Sequence, residues 1–314
     1  MNLRKHRTFI FIILVAVLLG LTITAIPTFS RDTVATVNGH KISKEELDRK
    51  VRWLSFIYPG YDFASQPAQV AETMALEYLL IDEAKRHGLK VGKDELDKAV
   101  EELLFTLALQ RTGGDEKALE SLLYKAGLSV RLAREMLREQ ELSAKLYEDV
   151  TKDVQVTDED VRKYYDENPD FFTEQEQVKA RHILVSSREE SEKILSELKN
   201  GADFAAIAGE KNSDATKSQG GDLGYFSKGR MVPEFEEAAF KLQPGELSGV
   251  VQTQFGFHII KVEDRKPEVK KSFEESQEDA RDLLLDDRKG QAFDAYLTDL
   301  KAKANIETKG LTGK

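Results

Sequence analysis

Val178-Lys179-Ala180-Arg181-His182-Ile183-Leu184-Val185 and Gly256-Phe257-His258-Ile259-Ile260-Lys261-Val262 are two apolar runs rich in β-branched residues, each with one histidine set into it. Runs of this length and composition read as buried strands. If the two pair as neighbours at the centre of one sheet, their imidazoles lie side by side on one face. Between them stand a glycine-rich turn, Gly220-Gly221-Asp222-Leu223-Gly224, then Met231-Val232-Pro233-Glu234-Phe235 and Ala239-Phe240. A lone histidine in a strand reads as a satisfied core residue. Two of them around one glycine turn read as a site.

Upstream the pattern becomes helical. Thr33-Val34-Ala35-Thr36-Val37-Asn38-Gly39-His40-Lys41-Ile42-Ser43 predicts a hairpin, because Asn38-Gly39 suits a type I′ turn in which both central residues take φ > 0. Ser43-Lys44-Glu45-Glu46 is a capping box opening a helix through Trp53. Helical spacing follows over 68–87, 93–111, 115–126 and 129–150, with stops at Gly88, Gly113-Gly114 and Gly127. Thr157-Asp158-Glu159-Asp160 caps one more helix, stopping near Asn168-Pro169, and Tyr164-Tyr165 with Phe171-Phe172 are expected to pack it against a neighbour. Downstream, 272–304 is a charged helix whose apolar face is Leu283, Leu284, Phe293, Tyr296, Leu297 and Leu300.

The first 30 residues read as a targeting segment. Arg4, Lys5, His6 and Arg7 precede an apolar run from Phe9 to Ile26. That run is long enough to cross a bilayer, which takes ~17–25 residues, and exceeds the ~7–15 of a cleaved signal. An uncleaved anchor with everything after Arg31 outside the cytoplasm is the expectation. The alternative is a soluble protein released by cleavage near Thr28-Phe29-Ser30. At 314 residues the chain has room for about two domains, at roughly 150 residues each. A net charge of −10 argues against nucleic acid as partner, since phosphate binding needs clustered Lys and Arg. With no cysteine, disulfides, thiolate metal sites and cysteine nucleophiles are excluded. His6, His40 and His87 show no metal-site spacing and read as surface or cap residues; no metal or cofactor is expected.

Residues 178–262 resemble a parvulin-type peptidyl-prolyl cis/trans isomerase domain, and the order of hairpin, helices, isomerase domain and returning helix is similar to extracytoplasmic foldases of the SurA and PrsA type. The resemblance implies an α+β fold: a mostly helical N- and C-terminal chaperone module with an inserted four-stranded antiparallel sheet surrounded by helices. It implies a division into 1–30 (anchor or signal), 31–174 (chaperone domain), 175–267 (isomerase domain) and 268–314 (a helix returning to the chaperone domain, with a tail). Residue by residue, His182 and His258 fall on the family's paired histidines, and Thr253 on the hydroxyl joining them. Leu223, Met231 and Phe235 fall on the positions that receive the proline ring, with Phe240 supporting them. For the acidic or thiol position facing the substrate amide, the loop Asn212-Ser213-Asp214-Ala215-Thr216 offers Asp214 after a one-residue shift, or Ala215 by strict count. Phe255 stands where some members carry a hydroxyl. Ser186-Ser187-Arg188-Glu189-Glu190 lacks the clustered basic residues of a phosphate clamp, which disfavours phospho-specific recognition.

The function implied is isomerisation of X-Pro bonds in unfolded exported chains, combined with chaperone activity. Clients are unfolded, proline-containing polypeptides, and the helical arms are candidates for dimerisation. A holdase with an inactive isomerase domain is the alternative, and a scaffold in an envelope complex is a third reading.

Overall fold

Asn38 and Gly39 take φ of 48° and 83°, the two positive values of a type I′ turn, and so join β1 (Thr33–Val37) to β2 (His40–Ser43). The structure is a computed structural model and describes residues 32–308; the segment read as an anchor lies outside them. Among the described residues no helix is long and apolar enough to cross a membrane.

Ser43 caps α1 (Lys44–Ile57). Its hydroxyl accepts from the Glu46 N–H at 3.2 Å, and the Glu46 carboxylate accepts from the Ser43 N–H at 2.7 Å. There follow α2 (Pro67–Arg86), α3 (Lys93–Thr112), α4 (Glu116–Lys125) and α5 (Val130–Thr151). Gly113 closes α3 in the left-handed conformation that a Cβ would disfavour. After α6 (Asp158–Glu167) come β3 (Thr173–Glu174), β4 (Gln177–Val185), α7 (Arg188–Lys199), α8 (Phe204–Lys211) and β5 (Asp222–Ser227). The chain continues through α9 (Pro233–Lys241), β6 (Val251–Thr253), β7 (Gly256–Lys266), β8 (Val269–Lys270), α10 (Phe273–Lys303) and β9 (Ile306–Thr308).

Two compact units result. One comprises residues up to Gln155 together with those from Leu285 onward; the other is Val156–Leu284. In the first, β9 pairs with β1, so the last strand closes the sheet that the first one opens. Phe293 and Leu297 of α10 bury themselves with Leu80, Ile81 and Ala84 of α2 and with Leu142, Leu146 and Tyr147 of α5. The returning helix is therefore part of the N-terminal helical core from Leu285 onward. His87, at the C-terminal end of α2, ties α2 to α5 through Asp149 at 2.6 Å and serves as a cap.

In the second unit the sheet order is β5-β4-β7-β6, all pairs antiparallel, so the two histidine strands occupy its centre as expected. Alternation along β4 sends Val178, Ala180 and His182 to one face and Ile183 and Val185 to the other. The first face packs under α9 through Phe235 and Ala239. The second packs under α7 and α8 through Ile194, Leu198, Phe204 and Ala208. Burial on both faces explains why β4 and β7 read as nearly continuous apolar runs. The helix α6 adds Val161 and Tyr165 to a smaller core with Phe172, Ala280 and Leu284. Phe171 departs from the expected packing: it is 65% exposed and lies parallel to Tyr164.

Candidate active site

In the β4–β7 register His182 stands opposite Ile260, and His258 opposite Leu184. The histidines are therefore diagonal neighbours on one face, within reach of each other's rings. They lie nearly parallel at 20°, centroids 5.4 Å apart, with Nδ1 of one 3.2 Å from Nδ1 of the other. Both are buried. The Phe235 ring stands nearly perpendicular to both imidazoles, with centroids 5.7 and 5.3 Å away.

What brings the acidic loop to this pair is an unfinished strand edge. Pairing of β5 with β4 ends at Arg181 opposite Asp222, and the His182 N–H donates to the Gly221 carbonyl at 2.9 Å. Past that point the edge of β4 is satisfied by the loop after α8. The Leu184 N–H donates to Asn212 Oδ1 at 3.1 Å, and Leu184 O accepts from the Ser213 N–H and hydroxyl, both at 3.0 Å. Buried backbone groups require such partners. The loop is thereby drawn against β4, and Asp214 arrives with Oδ2 2.8 Å from His182 Nε2. Asp214 is thus the loop residue that meets His182, and it caps the short 3₁₀ turn Ala215–Gln219, in which Ala215 is the first residue.

The polar atoms form one continuous chain. The Phe255 N–H donates to Thr253 Oγ1 at 3.1 Å, and Thr253 Oγ1 lies 2.8 Å from His258 Nε2. From there the chain passes between the two Nδ1 atoms and on to Asp214. With both rings neutral, two opposite proton orders could run along this chain, and the ionised Asp214 carboxylate, which can only accept, favours the one that places a proton on His182 Nε2. Thr253 donates to His258 Nε2, His258 Nδ1–H to His182 Nδ1, and His182 Nε2–H to Asp214. Both rings are neutral in this order. Burial pushes His258 down to about 4, with His182 beside it adding to the effect. Burial also lowers His182, opposed by the Asp214 charge. Asp214 is held below the usual carboxylate range: burial pushes it up, but hydrogen bonds from Thr216 and the neighbouring His182 outweigh it.

Beside the pair lies an apolar surface. Phe235 is buried with Phe226, Val178, Ala180 and Ile260, while Leu223, Met231 and Phe240 pack on this cluster half-exposed. All four residues expected to form the proline cup thus meet in one place. Phe226, edge-on to Phe240 at 5.9 Å, completes its floor and was legible as the inward position of Tyr225-Phe226-Ser227. Asn212 and Thr216 join the polar network and were not singled out from the sequence; the signal was a run of short polar residues ending an apolar helix. Phe255 is 64% exposed at the β6–β7 turn. Among the described residues no cluster of three or more His, Asp or Glu side chains could hold a metal ion.

Residues 168–266 match the family model described as a PPIC-type PPIase domain, and residues 1–147 that of a SurA-like N-terminal domain. A foldase protein PrsA of Caldanaerobacter subterraneus subsp. tengcongensis is 36% identical over 321 residues, covering 97% of this chain and 96% of that protein. This chain belongs to the PrsA foldase family. A foldase protein PrsA of Clostridium botulinum (strain Loch Maree) is 30% identical over 296 residues, 88% of each chain. A solved SurA-like chaperone of Campylobacter jejuni aligns at 25% identity over 88% of this chain and 100% of its own, with a TM-score of 0.45. The PrsA-family chain is a parvulin-type peptidyl-prolyl isomerase and folding chaperone, whose clients are unfolded polypeptides.

Proposed function

We propose that X-Pro isomerisation takes place over the cup of Leu223, Met231, Phe235 and Phe240, with His182, His258, Thr253 and Asp214 as the polar wall. The continuous hydrogen-bonded chain from Thr253 to Asp214 beside half-exposed Met231 and Leu223 is the observation that carries this reading. The uncatalysed barrier of about 18–20 kcal/mol is lost amide resonance. A 10⁴-fold acceleration, on the order of 5.5 kcal/mol, needs no covalent bond to the enzyme. Burying the pyrrolidine ring on Met231 and Leu223 holds one side of the bond while the other rotates. A planar amide carries more negative charge on its oxygen than a twisted one. The Asp214 carboxylate, 32% exposed where His182 is 5%, is the charged end of the wall that a substrate carbonyl can approach, and its field disfavours the planar form more than the twisted one. The neutral imidazoles hold Asp214 and Thr253 in place and attack nothing.

Replacing Met231 with Ala removes roughly 2 kcal/mol of ring contact. A drop in kcat/KM of about thirtyfold is expected on a proline-containing tetrapeptide, with thermal stability little changed because Met231 is half-exposed. Absence of turnover by the wild-type protein would sink the reading.

Within the Val156–Leu284 unit, residues 175–267 are proposed as the isomerase domain proper. Residues 31–174 and 268–314 are proposed as the chaperone module, of which 156–174 and 268–284 fall in the Val156–Leu284 unit. The basic and apolar first 30 residues support an extracytoplasmic protein tethered by an uncleaved N-terminal segment, with soluble release after cleavage as the alternative; resistance of the membrane fraction to alkaline extraction separates the two. The arms α3 and α4 expose Phe105, Leu109 and Tyr124 and are proposed as the place where two copies associate, to be tested by sedimentation velocity of wild type against Phe105→Glu.

A further inference from the structure

We infer that Asn212 and Thr216 are positioning residues that fix the proton order of the histidine pair, by directing the Thr216 hydroxyl onto Asp214 and leaving the other carboxylate oxygen to His182. The inference deepens the catalytic reading above and rests on it.

Asn212 is 2% exposed, and its amide has no freedom to flip. Oδ1 faces the Leu184 N–H at 3.1 Å, which can only donate. Nδ2 faces the His182 carbonyl at 3.3 Å, which can only accept. Two backbone groups of β4 thus set the amide orientation. The remaining amide hydrogen points at Thr216 Oγ1, 2.8 Å away.

Thr216 Oγ1 has two neighbours that could take its hydrogen: Asp214 Oδ1 at 2.6 Å and His182 Nε2 at 3.2 Å. The choice matters. If the hydroxyl donated to Nε2, His182 would carry its proton on Nδ1 and confront the Nδ1–H of His258. His258 would then have to invert too, turning an Nε2–H toward Thr253. With the amide hydrogen of Asn212 holding its rotor, the hydroxyl instead donates along the shorter, charge-assisted contact. Asp214 Oδ1 then accepts two donors, the Thr216 hydroxyl and the Thr216 N–H at 2.9 Å. Oδ2 is left to accept from His182 Nε2–H. A carboxylate accepting this many hydrogen bonds stays ionised. The fixed amide of Asn212, acting through the Thr216 hydroxyl, therefore reinforces the proton order that the Asp214 charge favours, and with it the tautomer of both rings.

The test is long-range ¹H–¹⁵N correlation at pH 7 on the full chain in detergent micelles, labelled with ¹⁵N at histidine. In the wild type His182 is expected as the Nε2–H tautomer and His258 as Nδ1–H. Thr216→Val, which keeps the side-chain shape and removes the hydroxyl, is expected to give mixed tautomers at both rings. It should also lower kcat/KM about tenfold, mostly in kcat, as for one lost charge-assisted hydrogen bond. Thr216→Ser should restore both. Asn212→Ala, if it folds, should reproduce the Thr216→Val ring spectrum. Unmixed rings in Thr216→Val, or mixed rings in the wild type, would overturn the inference whatever the activity. A wild type with the expected tautomers, lost in Thr216→Val, but without tetrapeptide turnover would leave the positioning intact and remove the catalytic reading instead.

Discussion

Lowering the pH from 7 to 5 is expected to weaken the isomerase unit and strengthen the helical unit of the same chain. In the isomerase unit His258 is held neutral, its pKa moved from 6.5 down to about 4 by burial and by His182. The unfolded chain takes up a proton near 6.5 that the folded unit refuses. Stability is therefore fully present above 6.5 and is lost as pH falls toward 4. About 2 kcal/mol should go by pH 5, and His182, lowered in the same direction, adds to it. In the helical unit the sign reverses. Glu139 on α5 is raised from 4.5 to about 7 by burial, reinforced by Glu77 of α2 and by Glu135 and Glu46 and only partly offset by Lys50 of α1. Lys50 is already paired with Glu77 at 2.7 Å. Here the folded state binds the proton first, so stability rises as pH falls from 7 toward 4.5, by about 1–2 kcal/mol once partial exposure is allowed for. The depressed carboxylates, Glu46 and Asp214 among them, act only below this window. Native-state amide exchange read separately over β4 and β7 and over α2 and α5 measures both trends in the intact chain. Trp53, the one tryptophan and buried in the helical core, gives an independent optical readout of that unit. Glu139→Gln should flatten the helical profile and leave the other unchanged. Parallel trends in the two units would refute the prediction.

Local rules account for what the sequence made legible. Asn38-Gly39, the Ser43 and Thr157 caps and the glycine stops each decide a few residues by their own chemistry, and the structure has them where the sequence places them. The histidine strands were legible because β4 and β7 are covered on both faces, which enforces apolar residues except where a polar group has work to do. The loop 212–216 was not legible for the complementary reason. Its residue types, Asn-Ser-Asp-Ala-Thr, suit an exposed turn equally well. Their burial follows from a long-range fact, that β5 stops short and leaves Leu184 unsatisfied. The choice between Asp214 and Ala215 likewise depended on where a 3₁₀ turn begins, which spacing alone does not fix. In the arms, Phe105, Leu109 and Tyr124 interrupt an otherwise regular pattern by facing outward, and no intramolecular rule explains them.

Gly221→Ala is expected to abolish isomerase activity and to cost the isomerase unit about 3 kcal/mol or more. Gly221 has φ of 77°, and a Cβ there would lie 2.1 Å from the His182 carbonyl oxygen and 3.2 Å from Ala208 Cβ. The first neighbour is backbone at the centre of the sheet, so no side-chain rotation relieves the clash. Relief requires moving β4 or the glycine turn by more than an ångström. Either motion breaks the bond from the His182 N–H to the Gly221 carbonyl and slides His182 away from Asp214. Gly220 offers a contrast. Its added Cβ would meet Ala205 Cβ at 2.9 Å and Arg181 Nη1 at 3.1 Å, the latter the end of a flexible side chain. Arg181 holds that turn from the opposite face through the Gln219 and Gly220 carbonyls, at 2.9 and 3.1 Å, and is itself fixed by Glu263 at 2.6 Å. Gly220→Ala should therefore lose less stability than Gly221→Ala and keep measurable turnover. Chemical denaturation followed by amide exchange in β4, with tetrapeptide turnover on the same samples, separates the two. Equal losses in both variants would mean that the turn tolerates displacement as a whole, and that the approach of Gly221 to His182 does not set the geometry of the histidine pair.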